Sequence, residues 1–193
     1  YRVLLLYNVL SFWIENSLYA VYVRFFTSLS RKVRVYASDK FISMQVPPSC
    51  MFSMFSYQVT KRIVCLACAR LCGDSLNQSA HDGNYNWYFS VNRQGQPLVE
   101  PYNIFSYTFA TMAFGQLSLA TGNLEYAAIA QKTFEVVLRR KDNPKGQWNK
   151  LHPGTRDLKN FALPMILCNL ALEIEHLLDE DYLLQTMEEC IHE

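Results

Sequence analysis

Apolar positions along the chain alternate between a helical rhythm and a short two-residue one, and the alternation recurs. Residues 25–36 and 87–99 each alternate about a turn-like centre, Ser30-Arg31-Lys32-Val33 in the first and Asn92-Arg93-Gln94-Gly95 in the second, the signature of a polar hairpin. Each hairpin runs into a helix. The second of these helices covers residues 102–120, with Ile104, Phe105, Thr108, Phe109, Met112 and Leu119 available to an apolar face. Thr121-Gly122-Asn123 stops it with a Gly-containing break suited to a tight antiparallel connection. The next helix, residues 125–140, carries Ile129, Phe134 and Val137 inward and ends in Arg139, Arg140 and Lys141, which complement the negative end of the helix dipole. After the break at Asp142-Asn143-Pro144-Lys145-Gly146, a third hairpin or loop is expected over 147–155. A helix over 157–178 follows, in which Pro164 predicts a kink or a late start, and a last helix begins at Asp181. The opening apolar run, residues 3–13, is interrupted by Glu15, Asn16 and Arg24 well before the roughly 20 residues of a membrane span, which predicts a buried helix.

Helix, helix, hairpin is therefore the repeating unit, about 60 residues long, the scale of stacked helix pairs. Three such units predict an all-α chain forming half of a closed ring, because pairs joined end to end bury their faces fully only when the ring closes. No Pro/Ser-rich linker divides the chain, so residues 1–193 are expected to be the amino-terminal half of one domain. The absence of an initial Met, a charged leader or a cleavage site favours a fragment over a secreted precursor.

Composition narrows the function. Lys and Arg number 18 against 17 Asp and Glu, a net charge of +1, so neither nucleic acid nor an anionic membrane is an expected partner and a small neutral ligand fits better. Cys65, Cys68 and Cys72 share one helical face, where free Cys behaves as a small core hydrophobe. No fourth ligand is spaced to complete a metal site, and no disulfide framework is evident, which favours a reducing, cytoplasmic setting. No Walker loop, dinucleotide fingerprint or nucleophile elbow occurs. His176 and His192 lie near acidic residues on late helices and are expected at a solvated surface, while His152 falls in the loop from Lys150 to Gly154. Tyr102 and Asn103 join a hairpin to a helix and so face either a ligand at the helix mouth or, in Asn103's case, the helix's own first turn as a cap. The basic loop from Arg139 to Gly146 admits two roles in the same way, phosphate binding or dipole compensation.

Several stretches resemble the N-acylglucosamine 2-epimerases, also called renin-binding proteins. They are Asn86-Trp87-Tyr88-Phe89, the strand Gln96-Pro97-Leu98-Val99, PYNIFS from Pro101, MAFGQLSLATGN from Met112, RRKDNPKGQWNKLHPGTR from Arg139 and FALPMILCNLALE from Phe161. The likeness is dense from Trp87 to Leu178 and sparser before it, where it rests on Asp39-Lys40-Phe41-Ile42 and Phe52-Ser53-Met54. It implies an (α/α)6 barrel with short β-hairpins between helix pairs, an isomerase interconverting N-acetylglucosamine and N-acetylmannosamine, often a dimer, with renin as a named partner of the family. No cofactor is required, and ATP is implied as an allosteric activator. Tyr102 and Asn103 are the implied substrate contacts, and Lys145 and Lys150 the implied nucleotide contacts. Relatives of the barrel act on free mannose or cellobiose, but the dense match argues for N-acyl sugars.

The family's two proton-transferring histidines belong to the second half of its barrel, and none of the histidines here matches them. Pro47 occupies the position of a family Arg, Tyr107 that of an Asp, and Gln147 that of a Lys in the ATP loop. Val23, Arg24 and Val33 replace hairpin glycines, the last at a turn that wants positive φ. The expectation is an epimerase-type chain that does not catalyse by itself, the other reading being a non-catalytic binding or dimerisation module of the same family.

Overall fold

Helix α4, Ile104–Thr121, is apolar around its whole circumference and is buried on nearly all of it, from Ile104 and Tyr107 through Phe114 and Leu117. A helix of that kind is stable only when enclosed by others. Its successor α5, Leu124–Arg139, instead divides into a buried stripe of Tyr126, Ile129, Ala130, Phe134 and Val137 and an exposed face carrying Gln131, Lys132 and Glu135. The two form one antiparallel pair, an inner helix and an outer one, joined at Gly122, whose φ of 68° closes α4, and at Asn123, whose side chain accepts from the N–H of Glu125. In this computed structural model residues 1–16, 18–19, 24–146 and 161–192 are described. The other pairs are α2 (Ile42–Met54) with α3 (Ile63–Ser79), and α6 (Ala162–Glu173) with α7 (Glu180–His192). The inner helices α2, α4 and α6 adjoin in that order. The result is three helix pairs of an (α/α)6 barrel, as the repeat predicts.

Small residues let the layers approach. A Cβ on Gly73 of α3 would sit 2.5 Å from Leu117 Cδ2 of α4, and one on Gly115 would sit 2.7 Å from Ile174 Cγ2. Cys65, Cys68 and Cys72 line the buried face of α3 as expected of small hydrophobes. Helix α2 runs through Pro47 and Pro48 without ending there, although each removes a backbone donor. Tertiary bonds hold it: Gln45 Nε2 donates to Phe25 O at 2.8 Å while Phe25 N donates to Gln45 Oε1 at 3.2 Å, and Ser49 Oγ donates to Ala69 O at 3.1 Å.

The second hairpin forms as read, β4 (Ser90–Val91) with β5 (Pro97–Val99), its turn held by Asn92 Oδ1, which accepts from the N–H groups of Gln94 and Gln96. It recruits a strand that the pattern does not reveal, β3 (Lys40–Phe41), giving an antiparallel sheet in the order β3-β4-β5. The Trp87 indole N–H donates to Thr133 Oγ1 at 3.1 Å and pins this hairpin to α5.

Three expectations need correction. The first hairpin shrinks to one bridge, Leu29 to Val35, around a turn in which Val33 takes a φ of 58°, while the backbone of β2 (Arg24–Phe25) pairs with β1 (Leu18–Tyr19) instead. The opening segment is helical, a π-helical stretch Leu4–Val9 leading into α1 (Leu10–Asn16), but it is not buried: Leu6 and Leu10 pack inward while Val3, Leu4 and Tyr7 stay exposed, since it has neighbours on one side only. The helix expected over 157–178 has the late start that Pro164 allows, α6 beginning at Ala162 with Pro164 in its first turn where a missing N–H costs nothing, but it ends early at Glu173, while residues 157–160 lie outside the described residues. His176 is exposed as expected, and its Nε2 also lies 3.0 Å from Ser118 Oγ.

Candidate functional site

Inner helices of such a ring begin at the hairpins, so their amino ends form a mouth and their facing sides a lumen. At the mouth, Asn103 Oδ1 accepts from the N–H of Phe105 at 3.0 Å and caps α4. The next N–H, that of Ile104, donates to Pro144 O at 3.0 Å, tying the basic loop to the same helix end. Arg140 Nη2 donates to Tyr102 O at 2.9 Å, and its guanidinium lies 4.7 Å from the centre of the buried Tyr107 ring. The Tyr102 ring packs against Phe89 at 4.8 Å, and Phe89 meets Phe41 edge-on at 5.6 Å. Tyr102 and Asn103 thus sit side by side, half-buried, at the start of the middle inner helix. Lys145 is exposed on the basic loop. Lys150, Gln147 and His152 lie outside the described residues.

Deeper in the lumen, α2 and α4 enclose an apolar cavity of about 320 Å³ whose lining includes Pro47, Cys50, Met54, Phe109 and Met112. Pro47 faces it where the resemblance calls for Arg, so no guanidinium fork reaches into it from that position. Burial, reinforced by the negative charge of Glu173, pushes the Cys50 thiol up to about 12, which keeps it neutral and a poor nucleophile.

A polar ladder joins the π-helical turn Phe55–Val59 that follows α2 to helices α4 and α6, and no sequence motif announces it. Tyr57 OH donates to Gln116 Oε1 at 2.5 Å, and Gln116 Nε2 donates to Glu173 Oε2 at 2.7 Å and to Glu173 O at 3.1 Å. Gln58 Nε2 donates to Tyr57 OH at 3.0 Å. Burial raises the Tyr57 phenol, with Glu173 adding to the effect and the Gln58 bond opposing it, so the ladder carries the phenol in its neutral form.

Imidazoles are elsewhere. His81 stacks on Tyr85 at 5.1 Å beyond the end of α3, its Nδ1 accepting from Gly83 N at 3.0 Å, and burial lowers its pKa. His176 follows α6, and His192 lies on the outer α7. Among the described residues no imidazole lines the luminal cavity, and no cluster of three or more metal-ligating side chains is found. No described helix is long and apolar enough to cross a membrane. Among the described residues the arrangement offers hydrogen-bonding and aromatic surface at the mouth and an apolar cavity with no imidazole in its lining.

Comparison with known proteins agrees with this geometry. The N-acylglucosamine 2-epimerase (GlcNAc 2-epimerase) family matches residues 25–193. The N-acylglucosamine 2-epimerases of Mus musculus and Rattus norvegicus are each 28% identical to the chain, over 96% and 90% of its length, and the chain spans only 46% and 42% of theirs. Among solved structures, cellobiose 2-epimerase from Bacillus thermoamylovorans superposes with a TM-score of 0.84 at 15% identity, and that from Spirochaeta thermophila with 0.79 at 18%. The chain is covered almost entirely, 99% and 98%, while it accounts for 53% and 51% of those barrels.

Proposed function

Because the chain belongs to the N-acylglucosamine 2-epimerase family, we propose that it is the sugar-orienting half of an epimerase acting on N-acyl amino sugars at carbon 2, with the proton transfers performed outside it. The observation that carries this reading is the family match running through the mouth of the ring, where Tyr102 and Asn103 sit at the start of α4. Epimerisation at carbon 2 breaks a C–H bond beside the carbonyl of the opened sugar and returns a proton to the other face. That requires a base and an acid with pKa values near neutrality, a task suited to imidazole. No described histidine lines the luminal cavity, so Tyr102, Asn103 and the Phe89 ring would hold the sugar while another part of the barrel supplies the bases.

A second reading, a non-catalytic binding module, draws support from Pro47 and the apolar cavity that it faces. The test is proton NMR of N-acetylmannosamine in deuterated water, with this chain and with a version extended to full barrel length, alongside calorimetric titration of the sugar. Binding without exchange at carbon 2 by the short chain, and exchange by the extended one, is the expected result. Exchange by the short chain overturns the division of labour. Silence from a folded, sugar-binding extended chain favours the module.

A further inference from the structure

Of the basic residues that end α5 and enter its loop, one is placed unlike the rest. Arg139, Lys141 and Lys145 are exposed, and Lys141 pairs with Glu189 at 3.5 Å. Arg140 is half-buried and turns towards the start of α4. Compensation of the α5 dipole asks only for a charge nearby, so it does not explain where this guanidinium lies. Its carbon stands 4.7 Å from the centre of the Tyr107 ring while Nη2 donates to Tyr102 O at 2.9 Å, so one flat group spans the residue before the Asn103 cap and the residue one turn after it. The loop doubles back against that contact. Asn143 N donates to Arg140 O at 3.0 Å, Gly146 N donates to Asn143 O at 3.1 Å, and a Cβ on Gly146 would lie 3.6 Å from Arg140 Nη2 and 4.0 Å from Tyr102 O.

The same loop grips the other side of Asn103. Pro144 O accepts from Ile104 N at 3.0 Å, so both peptide units that flank Asn103 are tied to residues 140–144. The side chain is held as well, because its Oδ1 accepts from Phe105 N at 3.0 Å. An amide that spends its oxygen on a cap still carries two N–H donors on Nδ2, and among the described residues these have no hydrogen-bond partner. We propose that Arg140 is a positioning residue for sugar binding: it fixes the peptide between Tyr102 and Asn103, so that Asn103, its oxygen held by the helix, offers Nδ2 to an oxygen acceptor of the sugar, a hydroxyl or the N-acyl carbonyl. Capping and binding are then two ends of one side chain rather than alternatives. A lysine does not serve in place of Arg140, since an ammonium is a point donor and has no plane to lay on the ring while it reaches the carbonyl. The inference rests on the reading of Asn103 as a sugar contact.

Calorimetric titration with N-acetylmannosamine tests it on the unmodified chain, Arg140→Met, Asn103→Asp and the double variant, at a temperature where circular dichroism shows each to be folded. Asp caps a helix as well as Asn does but has no Nδ2, so Asn103→Asp is expected to lose about tenfold in affinity, the worth of one hydrogen bond. Arg140→Met is expected to lose about tenfold too, and the double variant no more than either single one, because Arg140 acts through Asn103. Arg140→Lys, which keeps the charge without the plane, should stay close to Arg140→Met. Without sugar, the Ile104 amide should exchange faster in Arg140→Met than in the unmodified chain. Losses that add in the double variant, full affinity in Arg140→Lys, or an Arg140→Met chain that is less stable yet binds like its parent would each overturn the positioning role and leave the sugar site standing. An unmodified, folded chain that does not bind N-acetylmannosamine would overturn the sugar reading itself, and this inference with it.

Discussion

Arg140 joins the two sides of the candidate mouth by lying 4.7 Å from the ring centre of Tyr107 while its Nη2 donates to Tyr102 O at 2.9 Å. An aromatic face thereby meets this Arg at the position where the resemblance calls for a carboxylate. Tyr107 is buried, and burial raises its pKa, with Arg140 opposing, so the ring is neutral and its electron-rich face is what the guanidinium meets. Replacing Arg140 by Met is expected to cost about 2 kcal/mol, combining a desolvated cation–π contact with a charged hydrogen bond. Tyr107→Phe should cost less than about 1 kcal/mol, since it keeps the ring. Urea midpoints of the two variants measure the difference.

Val33 is a β-branched residue whose backbone opposes its side chain. It holds a φ of 58°, a conformation that glycine adopts freely and a β-branched residue does not. Val33→Gly is expected to stabilise the chain by about 1 kcal/mol, the relief of left-handed strain exceeding the entropy that glycine adds to the unfolded state. Thermal denaturation should show a higher midpoint, and a lower one would mean that the turn gains more from the valine than it loses in strain.

Gln116 on α4 is the shared rung between the π-helical turn after α2 and the end of α6. Gln116→Leu removes a donor to Glu173 and an acceptor from Tyr57 together, and it should destabilise by about 2–3 kcal/mol, the range for leaving partly buried polar partners unsatisfied. Gln116→Glu keeps the acceptor but brings a carboxylate to Glu173, so its loss should shrink at low pH. Chemical denaturation at two pH values separates the cases.

Stability is also expected to fall on mild acidification. Burial lowers the pKa of His176 and of His81 below the ordinary 6.5, so through that window the unfolded chain binds more protons and stability rises with pH. The contribution is complete above about pH 6.5 and is lost as pH falls from there towards the lowered folded values. Unfolding midpoints at pH 7.5 and pH 5.0 test this, and His176→Gln should flatten the difference. An unchanged slope in that variant would leave His81 as its source.

Asn103 separates capping from binding. Asn103→Ala should cost about 1 kcal/mol of stability, whereas Asn103→Ser keeps a capping oxygen and should stay within about 0.5 kcal/mol of the parent. If Asn103 also holds sugar, Asn103→Ser weakens N-acetylmannosamine binding without weakening the fold, and equal affinity would leave Asn103 as a cap alone.

Local chemistry made much of this chain legible before its structure. The Asn92 to Gly95 turn, the break at Gly122, the start of α5 after Asn123 and the buried face of Cys65, Cys68 and Cys72 all follow from periodicity and from residues with narrow conformational preferences, and neighbours within a few positions determine them. The positive φ of Val33 was legible too, since it occupies a turn position that calls for glycine. The family was legible from Trp87 onward, in stretches that include the hairpin and the helix mouth.

Tertiary contact decided the remainder. Helix α2 passes through Pro47 and Pro48 because Gln45 and Ser49 bond to segments 20 residues away, an interaction no local pattern encodes. Strand β3 exists only because β4 offers it an edge, and the Tyr57–Gln116–Glu173 ladder joins residues 59 and 57 positions apart. The opening helix and the far sides of α2 and α6 have apolar patterns that specify burial, but a pattern says only that a face should be covered. Whether it is covered depends on which neighbours the ring brings to it, and that is a property of the assembled helices rather than of any one of them.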